Sequence, residues 1–134
     1  MQWNIRGYRA NYYNLRTLIH NTNPYCICLQ EVKLSEDSTY CPRNFTIHVK
    51  RRQDDQPHGG VAILVRKELP STVLHLNTNL QAVAIRLQID KLYTVFSLYL
   101  PPNDPATKQQ IDNLISQLPE PFLLLGDYNA RHPL

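Results

Sequence analysis

The sequence predicts a layered α/β sandwich, richer in β than in α, built on largely antiparallel sheets. Short apolar runs of strand length recur through the 134 residues, two segments carry apolar residues at helical spacing, and the connections between strands mix hairpins with crossovers. A chain of 15.6 kDa has the size of one domain with a sizeable core.

The elements follow in order. Residues 3–5 read as a strand end close to Met1. Residues 11–22 place Tyr12, Leu15, Leu18 and Ile19 on one helical face, and Asn23-Pro24 stops the helix. The apolar run 25–30 predicts a buried strand ending at Glu31. Residues 34–44 are polar, with Cys41-Pro42 marking a loop, and 45–49 predict a further strand. Pro57-His58-Gly59-Gly60 is a turn that launches a core strand over 61–65. Strict alternation at Val83, Ile85, Leu87 and Ile89, then at Leu92, Thr94, Phe96 and Leu98, predicts a hairpin turning at Asp90-Lys91. After Pro101-Pro102, Asp104 is an N-cap candidate with Pro105 at the first helical position. Ile111, Leu114, Ile115 and Leu118 form that helix's apolar stripe, Pro119 and Pro121 end it, and 122–125 predict the last strand.

Composition narrows the function. A net charge of +3 and a pI near 8.8 permit a polyanionic partner without demanding one. Lys50-Arg51-Arg52 and Arg66-Lys67 suit either a phosphate-contacting rim or a solvated loop. Three cysteines, an odd number, argue against a disulfide framework. Cys26 and Cys28 would share one strand face as small apolar fillers, and C-x-C alone makes a poor zinc site. No apolar stretch approaches a membrane span and the N-terminus lacks a signal-peptide core, so a reducing intracellular setting without a membrane partner is expected.

The chemistry-bearing residues share a position. Glu31, Tyr99, Asp127 and Asn129 lie at or just beyond the carboxyl end of a strand, and Asn4 lies near one, where such folds build sites. Glu31 follows a buried run, where a carboxylate is costly unless paired, hydrogen-bonded or on a metal. It is either turned to water or a ligand for a hard cation such as Mg2+, which accepts one or two carboxylates and keeps several waters. Asp127 and Asn129, two residues apart, would point to one side of an extended backbone. Asp127 is then placed to orient or deprotonate a water, with Asn129 donating to a phosphate oxygen and Tyr99 within reach of the same group. Gly126-Asp127-Tyr128-Asn129 by itself also fits a turn closed by an Asx hydrogen bond.

Five segments in order carry a resemblance. Asn4-Ile-Arg-Gly7, Leu29-Gln-Glu-Val32, Gly60-Val-Ala-Ile-Leu-Val65, Tyr99-Leu-Pro-Pro-Asn103 and Leu125-Gly-Asp-Tyr-Asn-Ala130 resemble the endonuclease/exonuclease/phosphatase superfamily. Within it they look most like the endonuclease domain of non-LTR retrotransposons of the jockey-like kind, a likeness that Arg131-His132-Pro133-Leu134 continues. The resemblance implies a four-layer α/β sandwich, of which residues 1–134 would be about the N-terminal half. It implies Mg2+, with Mn2+ as an alternative, held by Glu31. Asn4 would organise metal and phosphate, Tyr99 would contact the scissile phosphate, Asp127 would position water, and Asn129 would bind phosphate. Asn103 would support the site, and His132 would touch DNA or cap its loop. The implied activity is nicking of DNA in the nucleus to prime reverse transcription, within a polyprotein carrying a reverse transcriptase and acting on element RNA. An abasic-site repair endonuclease or small phosphoesterase of the same fold is the enzymatic alternative. A non-catalytic relic or nucleic-acid-binding fragment is the other. The family's later aspartate and terminal Ser-Asp-His have no counterpart here, and none of the five histidines stands in that context. A C-terminally truncated domain with little catalysis of its own and an uncovered apolar sheet face is therefore expected.

Overall fold

Residues 1–34, 40–51 and 59–130 are described by the computed structural model of the chain. The elements are β1 (Gln2–Asn4), α1 (Tyr12–Thr22), β2 (Cys26–Gln30), β3 (Phe45–Lys50), β4 (Val61–Arg66), β5 (Ser71–Leu74), β6 (Gln81–Gln88), β7 (Leu92–Tyr99), α2 (Lys108–Ser116) and β8 (Phe122–Asp127). They form two four-stranded sheets, ordered β1-β2-β4-β3 and β5-β6-β7-β8. Pairing is antiparallel except at β1–β2 and β7–β8, which are parallel.

Side-chain alternation assigns the layers. In β4, Val61, Ile63 and Val65 pack with Cys28, Val83, Ile85, Leu87 and Val95 between the sheets. Ala62 and Leu64, on the opposite face, pack with Leu15 of α1. Beyond the second sheet, Ala82, Ala84, Phe96 and Leu98 pack with Leu114 of α2. The result is helix, sheet, sheet, helix: the four-layer sandwich that the resemblance implies. Cys28 lies in the inter-sheet core, with Cys26 packed against it, and both remain free thiols. Burial pushes both thiols up.

Helix ends follow local chemistry. At the end of α1, Asn23 takes a left-handed conformation at φ 48°, its N–H donates to the Ile19 carbonyl at 2.8 Å, and Pro24 prevents continuation. The start of α2 corrects the expectation from Asp104 and Pro105. Thr107 is the N-cap: its hydroxyl accepts from the Gln110 N–H at 3.1 Å, while the Gln110 side chain accepts from the Thr107 N–H at 2.9 Å. That reciprocal box satisfies two helix-end donors that Asp104 does not reach. Asp104 instead closes a turn, its N–H donating to the Pro101 carbonyl at 3.2 Å. Strand β5 was not expected, because a half-exposed edge strand after Pro70 needs only one partner and lacks a sustained alternation.

The expected hairpin is formed, with Gln88 opposite Leu92 and the Ile89 N–H donating to the Lys91 carbonyl at 3.1 Å. Gly126 is required by close approach rather than by φ. A Cβ built there would lie 2.1 Å from the Leu98 carbonyl oxygen of β7. The absence of that atom lets β8 pair with β7 in register up to Tyr99–Asp127.

Candidate active site

Two crossovers deliver the site residues to one place. The β1–β2 register sets Asn4 beside Gln30, and the β7–β8 register sets Tyr99 beside Asp127. The four residues thus close two parallel pairs at their carboxyl ends. Asn4 joins the pairs: its Nδ2 donates to Glu31 Oε1 at 2.9 Å and to Asp127 Oδ2 at 2.7 Å. Its Oδ1 accepts from the Arg6 N–H at 3.3 Å.

Glu31 reaches this cluster through its backbone. Gln30 faces the inter-sheet space, so continued alternation would send Glu31 to the α1 face. Instead Glu31 adopts φ 51°, in the left-handed region that costs a non-glycine residue roughly 1–2 kcal/mol. The neighbours over-determine the turn. The Glu31 carbonyl accepts from Gly7 N–H at 2.8 Å, and the Val32 and Lys33 N–H groups donate to Gly60 and Gly59 at 3.3 and 2.9 Å. Gln81 of β6 anchors this glycine pair, its Oε1 accepting from the Gly60 N–H at 2.5 Å.

Asp127 is held from both sides. Its carbonyl accepts from the Leu100 N–H at 2.9 Å, and its Oδ1 accepts from the Asn129 N–H at 3.1 Å. The latter is an Asx turn, one of the two arrangements the sequence allowed. The expectation that Asn129 and Asp127 project together from an extended backbone is corrected. Asn129 lies past β8 at φ 43°, and its amide donates to the Leu100 carbonyl at 2.8 Å. The chain turns there because the Asx bond replaces the ladder.

Tyr99 is buried, 8% exposed, and packs in the inter-sheet cluster beneath Asp127. Asn103 lies on the exposed turn after β7. His132 and His58 fall outside the described residues, as does Arg52 of the basic run. A buried polar link that sequence reasoning missed lies under the cluster. Gln30 is fully buried, accepts from Gln2 Nε2 at 2.5 Å and donates to Ser97 Oγ at 3.0 Å. The only signal for it was a glutamine ending an apolar run.

The residues fit a hard cation. Glu31 and Asp127 offer carboxylate oxygens around one neutral donor, and two like charges in one small volume are offset by a bound positive charge. Among the described residues no group of three or more His, Cys, Asp or Glu side chains converges. That donor set suits Mg2+, which keeps much of its water, better than zinc.

The family model described as "Endonuclease/Exonuclease/phosphatase family" matches residues 1–134. The chain belongs to that family. Among curated relatives it is 28% identical, over 134 residues, to the RNA-directed DNA polymerase from mobile element jockey of Drosophila funebris, and 23% identical to the jockey polymerase of Drosophila melanogaster. It covers 14% of each of those proteins and 97% of itself. Its fold matches the endonuclease domain of TRAS1, a telomere-specific non-LTR retrotransposon, at a TM-score of 0.77 with 20% identity. That match covers 98% of this chain and 58% of the other. An AP endonuclease from Archaeoglobus fulgidus matches at 0.68 with 18% identity, over 96% of this chain and 56% of that one. The chain therefore spans a seventh of these two curated relatives and little over half of these two fold neighbours. No helix among the described residues is long and apolar enough to cross a membrane.

Proposed function

We propose that this chain is part of the DNA-nicking endonuclease of a jockey-like non-LTR retrotransposon, active in the nucleus within a reverse-transcriptase polyprotein and its element RNA. The observation that carries the reading is the Asn4 amide shared by Glu31 and Asp127. Likeness to the jockey polymerases favours this reading over an abasic-site repair enzyme.

Glu31 would hold a Mg2+ ion, with Mn2+ as a substitute, and Asn4 fixes that carboxylate. The chemistry such an ion would supply is polarisation of a phosphoryl oxygen and neutralisation of charge on the leaving oxygen. Asp127, oriented by the Asn4 amide and the Asn129 N–H, aligns the attacking water and accepts its proton. Tyr99 directs its hydroxyl to the scissile phosphate, and Asn103 supports the turn beside it. Asn129 orients Asp127 through its N–H, and with one amide N–H taken by the Leu100 carbonyl the second is left to donate to a phosphate oxygen. His132 is kept as a candidate either to touch DNA or to cap its loop. With only this set of groups, the 134-residue chain is expected to nick weakly by itself.

The test is conversion of supercoiled plasmid to open circle with and without Mg2+, in this chain and in a version extended through the rest of its parent gene's domain. Glu31→Gln and Asp127→Asn should each lower nicking by about 100-fold or more, as expected when an acid–base or metal-holding group is lost. Unchanged nicking in both variants overturns the assignment. Preference for an abasic duplex over intact plasmid would select the repair enzyme, and no nicking in the extended version would select the non-catalytic fragment.

A further inference from the structure

Between β1 and α1 the chain builds a second feature that the cluster above does not use. A cleft of about 440 Å3 is lined by Tyr8, Arg9, Tyr12, Tyr13, Arg16 and Tyr40. Four of the six are tyrosines, two are arginines, and none of these described lining residues carries a carboxylate. The rings form a ladder: Tyr8 and Tyr12 have centroids 5.7 Å apart, and Tyr12 and Tyr40 6.3 Å apart, at tilts of 50° and 52°. Tyr8 is fully buried and pins the far side, its hydroxyl donating to the Tyr40 carbonyl at 2.5 Å. Tyr13 and Tyr40, by contrast, are 80% and 67% exposed.

Tyrosine faces exposed beside guanidinium groups offer stacking and positive charge on one surface. Spacing on α1 makes them act together, because Arg16 follows Tyr12 by four residues and Tyr13 by three, so all three are surface neighbours. The positive end of α1 opens on the same side. Its N-cap residue Asn11 makes no side-chain cap and instead donates to the Ile5 and Gly7 carbonyls at 2.8 and 3.3 Å. Rings offering π-faces, with arginines between them, match a ligand that alternates aromatic bases with phosphates.

We propose that this cleft binds a short unpaired stretch of the substrate nucleic acid, its bases stacked on Tyr13 and Tyr40 and its phosphates met by Arg9 and Arg16. The inference rests on the DNA-nicking reading and adds to it where the strand lies. Arg9 is five residues from Asn4, so even a fully extended chain keeps it within about 18 Å of the cluster. At the duplex rise of roughly 3.4 Å per nucleotide, that bound puts the cleft within about five nucleotides of the bond to be cut. The cleft would then hold a frayed or opened segment flanking the nick and favour target sites that open easily.

Fluorescence anisotropy of a labelled oligothymidine single strand, and of a duplex of equal length, tests the idea on the 134-residue chain. Tyr13→Ala with Tyr40→Ala should weaken single-strand binding by roughly 5- to 150-fold, the range for a lost stacked base, and duplex binding far less. Tyr13 is too exposed for its truncation to disturb the core, and Tyr13→Phe should bind as the parent does. Arg9→Ala with Arg16→Ala should flatten the dependence of log affinity on log salt by about 1.4, or about 0.7 per phosphate contact on a single strand. Equal affinity of the parent and the double-tyrosine variant for the single strand overturns the proposal, as does equal loss for single strand and duplex. A cleft that instead takes up a peptide would leave oligothymidine binding unchanged in every variant and is refuting too. Single-strand binding and Mg2+-dependent plasmid nicking are read on the same variants, so failure of the cleft and failure of the nicking site are told apart.

Discussion

Exchanging Asn4 for aspartate keeps the shape of the side chain while turning its donor into an acceptor. In the native protein one amide nitrogen serves Glu31 at 2.9 Å and Asp127 at 2.7 Å. Asn4→Ala removes two bonds to charged acceptors, each worth about 1.5–3 kcal/mol when fully desolvated. All three residues are half-buried, and the freed carboxylates regain water. The expected loss of stability is therefore about 1–2 kcal/mol. Asn4→Asp loses the same bonds and adds a third carboxylate. Like charges 4 Å apart cost about 4 kcal/mol at an effective dielectric of 20 and about 1 kcal/mol in water. For half-buried groups the added cost over alanine falls at about 2–3 kcal/mol near neutral pH. The sign with pH follows from linkage. The introduced carboxylate meets two like charges on folding and so keeps its proton to a higher pH than in the unfolded chain; the native aspartate variant therefore binds more protons and its stability falls as pH rises. Urea denaturation of the parent and both variants at about pH 4 and pH 7 measures this. The aspartate variant should approach the alanine variant in acid and drop below it at neutrality. Equal stability of the two variants at neutral pH, or a gap that does not change with pH, would refute the reading of Asn4 as a shared donor.

Three further outcomes can be checked alongside. Gly126→Ala should cost at least about 3 kcal/mol, because the added Cβ meets backbone that cannot rotate away; a thermal midpoint within a few degrees of the parent would contradict the β7–β8 packing. Gln30→Leu strands the Gln2 and Ser97 partners and should cost about 1–3 kcal/mol. Adding Ser97→Ala should cost less than the sum of the two single losses. His48, whose Nε2 is buried without a hydrogen-bond partner among the described residues, has its pKa lowered by burial. The unfolded chain thus takes up this proton before the native one does, so stability is full above about pH 6.5 and is lost as pH falls below it. His48→Phe should flatten that part of a pH series measured by urea midpoint.

The elements that were legible from sequence are those whose apolar period decides burial unaided. Alternation through Val83, Ile85 and Leu87 names the inter-sheet face of β6, and the run before Glu31 marks β2 as buried. What escaped was settled by partners distant in sequence or by competition between neighbours. Gln30 and Ser97 are 67 residues apart, and neither residue type announces its partner. Asp104 and Thr107 both offered a cap, and the choice fell to the one with Gln110 three residues ahead. The site residues stood out as polar groups at strand ends. The left-handed turn that brings Glu31 across to Asn4 could not be inferred from a glutamate codon position alone, since strand period places it on the other face.

The two sheets follow one plan, and that plan explains why residues 123 apart share an amide. In each sheet one edge strand lies parallel to its neighbour, and a parallel pair needs a crossover. Helix α1 makes the crossover from β1 to β2, and α2 makes it from β7 to β8. Each β–α–β unit necessarily brings two strand carboxyl ends side by side. Face-to-face packing of the sheets then brings the two units' ends together, Asn4 and Glu31 from one, Tyr99 and Asp127 from the other. Strands β4 and β6, both paired antiparallel, supply most of the intervening core. Through Gln81 they also hold the Gly59–Gly60 loop that fixes the backbone beside Glu31. Chemistry and stability are thereby divided. Apolar exchanges in β4 or β6 should move the unfolding midpoint with little effect on the cluster, whereas loss of either crossover removes half of the polar groups at once.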